Sequence, residues 1–294
     1  MEFTNDQELP DELHQFLQYS DYNSSGARFD ISCTKLIDSP QIAQFWKAHG
    51  MAVVEDSSSR LYSSMGSGIH SRFEAANASN PDVMCEKRYS GQFPHPIEGN
   101  DPLTLSAQID SYNFKTKTLA DLKTVSAWKI LFKDYESFEK QLNICAYLMG
   151  QAGHKVEKLQ IYALVRDWSR MRVTDKDYPK QPIQVIDIPM WTEYEQERFI
   201  LEKLEVHYGE GEKGCTDKER WAKTRQFKVK EKGKKRALRV LQSQAKAESW
   251  IKSQGLEDKK SIFIDEIPAV YTRCESFCPF GKMGVCEQYN EDKA

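Results

Sequence analysis

Three runs that read as strands follow one another between residues 86 and 130, with only turn-forming segments between them, and nothing else narrows the possible folds as much. Residues 86–93, 103–114 and 119–130 are strand-like, and stretches rich in Pro, Gly and Asn, or in Lys and Thr, separate them. Segment 135–150 then switches to helical spacing, with Phe138, Leu142, Cys145, Ala146 and Met149 at helix-spaced positions and Gly150 at the end. Residues 158–167 return to alternation through Leu159, Ile161, Ala163 and Val165. Ahead of the strands, 32–49 suits a helix interrupted or begun at Pro40, and 66–76 a second helix that carries His70 and Glu74 one turn apart. This order implies an α/β nucleus, a mixed central sheet flanked by helices.

The pattern divides the 294 residues into an N-terminal extension (1–29), a core (30–190) and an accessory region (191–294). The last is expected to be helical at 193–207 and 237–253 and to end in a cysteine-bearing tail. No apolar run approaches the ~18 residues of a membrane helix. The start, Glu2 to Glu12, is acidic and polar without the basic and apolar regions of a secretory signal, so a cytosolic protein is expected. In that reducing compartment seven cysteines, an odd number, do not make a disulfide framework, and their clustering points to metal. The net charge of −3 gives no global sign of a polyanionic partner, yet residues 228–239, KVKEKGKKRALR, are strongly basic.

Asp110 closes the apolar run that starts at Leu103, and Asp121-Leu122-Lys123 falls on the next strand. Side chains alternate along a strand, so Asp121 and Lys123 share one face while Leu122 points into the core. Two carboxylates and an ammonium can therefore converge. That set suits phosphodiester hydrolysis, which needs a hard cation on the phosphate oxygens, an activated water and a positive group against developing charge.

Gly66-xxx-His70-xxx-Glu74, Ile109-Asp110, Asp121-Leu122-Lys123-Thr124 and Gln141, in this order, resemble the motif set of the RecB-like branch of the PD-(D/E)xK nucleases, phage exonucleases among them. Ile31 to Leu36 followed by Ser39-Pro40 resembles the helix that opens such domains, and the likeness spans about residues 30 to 165. It implies a restriction-endonuclease-like core and a Mg²⁺- or Mn²⁺-dependent DNA nuclease, more an exonuclease than a site-specific endonuclease, with possible protein partners in recombination or replication. His70, Asp110, Asp121 and the Leu122 carbonyl would bind the metal, with Glu86 as a possible additional acid. Lys123 would activate water and stabilise charge, and Gln141 would position Lys123 or the phosphate. One departure stands out: where the family places a tyrosine four residues after the glutamine, this chain has Cys145, with Tyr147 two further on.

Cys274, Cys278 and Cys286 are one thiol short of a tetrahedral zinc site or a cubane iron–sulfur cluster. Cys215, in a polar loop, is the first candidate for the fourth ligand and Cys33 the second. The resemblance favours [4Fe–4S] over zinc, although in such relatives the distant cysteine precedes the core. Lys232, Lys234, Lys235, Arg236 and Arg239 suit phosphate contacts that hold a strand without reading its sequence. A different class of function also accommodates these features: a nucleic-acid-binding protein that keeps the fold without cutting, with the cysteine site as its principal metal centre.

Overall fold

In the computed structural model, which describes residues 1–19, 28–211, 213–223 and 225–291, the chain divides into two compact units, Met1–Lys213 and Gly214–Ala294. The first unit runs β1 (Glu2–Thr4), α1 (Asp11–Gln18), β2 (Ile31–Ser32), α2 (Cys33–Leu36), α3 (Pro40–His49), β3 (Val54–Asp56), α4 (Leu61–Asn77), β4 (Val83–Phe93), β5 (Leu103–Asn113) and β6 (Thr118–Val125). It continues with α5 (Ala127–Leu131), α6 (Glu136–Gln151), β7 (Lys158–Val165), β8 (Ile183–Ile188) and α7 (Glu193–Tyr208). Part of the expected N-terminal extension, 20–27, lies outside the described residues. β1 pairs in parallel with β3.

Local chemistry sets the element ends. The segment 32–49 is two helices: Ser32 Oγ accepts the Lys35 N–H to cap α2, and Pro40, whose missing N–H costs nothing in a first turn, begins α3. The strand expected over 119–130 stops at Val125, because Asp167 Oδ1 accepts the Ala127 N–H at 2.6 Å and α5 starts there. The helix expected at 66–76 begins earlier, at Leu61, and none of its seventeen residues is buried.

β4, β5 and β6 form an antiparallel meander, extended by parallel pairing of β6 with β7 and antiparallel pairing of β7 with β8. The sheet is mixed, as expected. β4 covers one edge of β5 along its whole length, from Val83↔Asn113 to Phe93↔Leu103. β2 and β6 must then share the other edge, where β2 pairs at Leu105–Ser106 and β6 at Ser111–Asn113. Between these pairings β5 and β6 part, and the sheet forks at Asp110.

α6 lies on the sheet and buries Leu142, Ile144, Cys145, Leu148 and Met149 in one cluster with Leu105, Ile109, Leu119, Leu159 and Ile161. Gly91 lets the helix come close, since a Cβ there would sit 2.9 Å from Leu148 Cδ2. Behind α6, the fully buried Asn143 donates to the carbonyls of Glu139 and Pro189 and accepts from the Trp191 N–H and Gln196 Nε2. Three of these bonds, to Pro189, Trp191 and Gln196, tie α6 to the start of α7. Ile200 and Leu204 of α7 enter the same core, so the first unit extends past the expected break near residue 190.

The second unit contains β9 (Ala222–Lys223), β10 (Gln226–Glu231), β11 (Arg239–Leu241), α8 (Gln244–Ser253), β12 (Ile262–Ile267), β13 (Val270–Tyr271), α9 (Thr272–Ser276), α10 (Pro279–Lys282) and α11 (Glu287–Glu291). Besides its helices it has an antiparallel sheet in the order β11-β10-β12, on which α8 packs Ala247 against Phe227 and Val229. The helix expected from residue 237 starts at Gln244, because residues 239–241 pair with β10 and Ser243 Oγ caps the helix through the Lys246 N–H. No helix among the described residues is long and apolar enough to cross a membrane.

Candidate functional site

The fork leaves part of the β5 edge without a strand partner, and Asp110 fills the gap. Its Oδ2 accepts the Leu122 N–H at 2.7 Å, a sheet bond supplied by a side chain. The N–H and C=O of one extended residue point to the same edge, so the Leu122 carbonyl also turns toward this side. Asp110 Oδ1 remains for other partners. His70 Nδ1, from α4, stands 3.5 Å from it and 3.2 Å from Glu86 Oε1. One ligand atom each of His70, Glu86 and Asp110 lies within 4.8 Å of the other two.

Glu86 reaches this position through a strained backbone. In the middle of β4 its φ is +49°, a left-handed conformation that costs a residue with a Cβ roughly 1–2 kcal/mol. The flanking pairs Cys85↔Ser111 and Lys87↔Ile109 put Glu86 opposite Asp110. Gln108 Nε2 donates to Glu86 Oε2 at 2.6 Å, and Arg88 in turn donates to Gln108 Oε1 at 2.7 Å and to Ser106 Oγ at 3.1 Å. Gln108 and Arg88 are site residues that sequence reasoning missed. Their signal was available: Gln108 precedes Asp110 by two positions and so shares its strand face.

Asp121 lies beside the three-ligand group rather than within it. Lys123 Nζ approaches the buried Asp121 Oδ2 at 2.8 Å as an ion pair. Gln141 Nε2 donates to the other oxygen at 3.2 Å. The structure therefore brings Asp121, Lys123 and Gln141 together and puts Gln141 on the carboxylate, not on the ammonium. Cys145, in the position of the expected tyrosine, is buried beside the Cys33 thiol, which donates to the Gln141 carbonyl. Tyr147 turns the other way and its hydroxyl donates to Glu197.

Burial, and then the neighbouring Asp121 carboxylate, push the Asp110 carboxyl up to about 8. Burial opposes the charge on Lys123, but Asp121 and Asp110 outweigh it and raise the ammonium above its ordinary value. The hydrogen bond to Glu86 raises His70 against the effect of burial, with Asp110 adding to it. Burial alone would raise Glu86, yet the bonds from His70 and Gln108 hold it below the ordinary carboxylate value.

These residues fit a divalent cation. Cis ligands around an octahedral ion bound at 2.0–2.1 Å stand roughly 3 Å apart, close to the two His70 separations. Oxygen donors with one imidazole suit Mn²⁺ and, through the carboxylates, Mg²⁺. Burial and the nearby Asp121 carboxylate both disfavour charge on Asp110, and a bound cation would offset that cost.

In the second unit burial raises the Cys286 thiol, with smaller contributions from Cys278 and Cys274. Gln288 clamps the fourth segment: it accepts the Cys215 N–H at 3.1 Å and donates to the Cys215 carbonyl at 2.8 Å, two residues from Cys286. Cys33, the alternative ligand, is buried in the core of the first unit. Lys232, Lys234, Lys235 and Arg236 are exposed in the loop joining β10 to β11, with Arg239 exposed on β11. Lys234 is paired with Glu231 at 2.6 Å.

No known family matches the chain, and no curated protein does. Among solved structures it is similar to SSO0001, at 15% identity and a TM-score of 0.47, over 68% of this chain and 87% of that one. It is also similar to a phage-related exonuclease from Haemophilus somnus 129PT, at 12% identity and a TM-score of 0.32, over 50% of this chain and 69% of that one.

Proposed function

We propose that the first unit is a metal-dependent deoxyribonuclease of the RecB-like, PD-(D/E)xK type. The observation that carries this reading is the fork at Asp110, where His70, Glu86 and Asp110 converge beside the Asp121–Lys123 pair. His70, Glu86 and Asp110 would hold Mg²⁺ or Mn²⁺, with Asp121 and the Leu122 carbonyl at its edge. When bound, the cation supplies charge for the phosphate oxygens and acidifies a water. Asp121 fixes the Lys123 ammonium, and Gln141 fixes Asp121, so the ammonium is positioned before substrate arrives. Lys123, kept protonated by two carboxylates, donates to the phosphate and opposes its developing charge. Exonuclease action, a place in recombination or replication and phosphate contacts by the β10–β11 loop rest on the motif order and on the basic sequence.

For the second unit we propose a cysteine-ligated [4Fe–4S] cluster on Cys215, Cys274, Cys278 and Cys286, which would hold the tail in place structurally. No three of these sulfurs lie within 4.8 Å of one another. The choice of cluster rests on the sequence resemblance, and a tetrahedral Zn²⁺ site on the same four thiolates is the alternative.

End-labelled DNA incubated with Mn²⁺, Mg²⁺ or EDTA tests the catalytic reading. Asp121→Asn and Lys123→Ala should each cut about 100-fold more slowly or worse, with folding and DNA binding retained. Wild-type rates in both variants, or cleavage indifferent to EDTA, would overturn it.

A further inference from the structure

One residue beyond the strand that carries Asp121 and Lys123, Trp128 of α5 and Phe132 at its C-terminal end stack on each other with centroids 5.6 Å apart and ring planes 17° from parallel. Packed aromatic pairs are usually buried, but Trp128 is 53% exposed and Phe132 73%. Cations accompany them. Arg172, paired with Asp175, lies 5.8 Å from the Trp128 ring, and Lys129, paired with Asp134, stands 4.8 Å from the Phe138 ring. Lys123 Nζ approaches that same Phe138 ring at 5.9 Å. Lys129 of α5, next to Trp128 in the chain, and Lys123 of the site thus meet at one ring.

We infer that Trp128 and Phe132 form a platform on which an unpaired base of a nucleic-acid strand stacks while its phosphodiester lies at the Lys123 site. This rests on the nuclease reading. An aromatic face accepts any base without reading its identity. A protein partner would be a weaker fit: the two rings are already stacked parallel, in the arrangement that a base extends.

The test uses the full chain as Asp121→Asn, so that strands bind without being cut, and fluorescently labelled single-stranded and blunt duplex DNA as probes. Phe132→Ala combined with Trp128→Ala should weaken single-strand binding about 5- to 150-fold, the range for losing one base stack. Blunt duplex binding should change less, and Trp128→Phe should restore most of the loss. Adding single strand should quench the Trp128 emission, read as the difference from Trp128→Phe. Unchanged single-strand affinity in the double variant, while the parent binds, would overturn the platform and leave the nuclease reading standing. No binding and no cutting by the wild type would remove both. A shift in oligomeric state caused by the double substitution, with DNA affinity unchanged, would assign the rings to contact between copies and overturn the proposal.

Discussion

Asp110→Asn should make the metal-free protein more stable while abolishing cleavage. The Asp110 carboxyl titrates near 8 when folded, against 3.8 for the ordinary group. A carboxyl raised in the folded state contributes stability that is fully present below 3.8 and is lost progressively as pH rises to about 8. At pH 7 the loss spans 3.2 units (7 − 3.8), and at about 1.4 kcal/mol per unit this is on the order of 4 kcal/mol. An asparagine avoids that penalty, and its amide oxygen can still accept the Leu122 N–H and keep the fork closed. Urea unfolding in EDTA at pH 5, 7 and 9 should show wild type losing stability across the series and the variant losing less, the remainder coming from His70, which Glu86 holds raised. With Mn²⁺ present the order should narrow or reverse, because only the wild type gains a bound ion. A variant less stable than wild type at pH 7 in EDTA, or a flat wild-type profile, would refute the reasoning.

Further outcomes follow from the same geometry. His70→Ala should slow cleavage more with Mn²⁺ than with Mg²⁺, since imidazole is the better ligand for the softer ion; equal losses in the two metals would remove His70 from the ligand set. Replacing Lys234, Lys235 and Arg236 with Ala should flatten the salt dependence of duplex binding by about 1.8, two contacts at ~0.9 each, because Lys234 already spends its charge on Glu231. An unchanged slope would make that loop an ordinary solvated turn. Anaerobically purified protein should be brown with broad absorbance, and Cys286→Ser should reduce iron content and stability together. Zinc in place of iron, or neither metal, would correct the cluster.

Much of the site was legible because strand alternation is a local signal. Asp121 and Lys123 share a face, and the helix-spaced positions of residues 135–150 became the core face of α6 that places Gln141 beside Asp121. The fork was not legible, since it depends on β2, about 70 residues upstream, taking the same edge of β5 as β6. The left-handed turn at Glu86 leaves no mark in a sequence that reads as an ordinary strand. Ala127 to Leu131 suits strand or helix equally by composition, and the deciding group, Asp167, comes forty residues later. β8 was missed because residues 183–188 form an exposed edge whose only buried member is Ile188.

The four bonds of Asn143 and the bare packing of α4 give the site two walls of unequal firmness. α6 cannot separate from α7 without orphaning a fully buried amide, so those helices should open to solvent exchange together and near the energy of global unfolding. α4, with no buried residue along its length, belongs to the other end of that scale, and it supplies His70. The ordering of α4 therefore subtracts from whatever affinity the cation has, and a ligand that holds α4 down would tighten the metal without touching it.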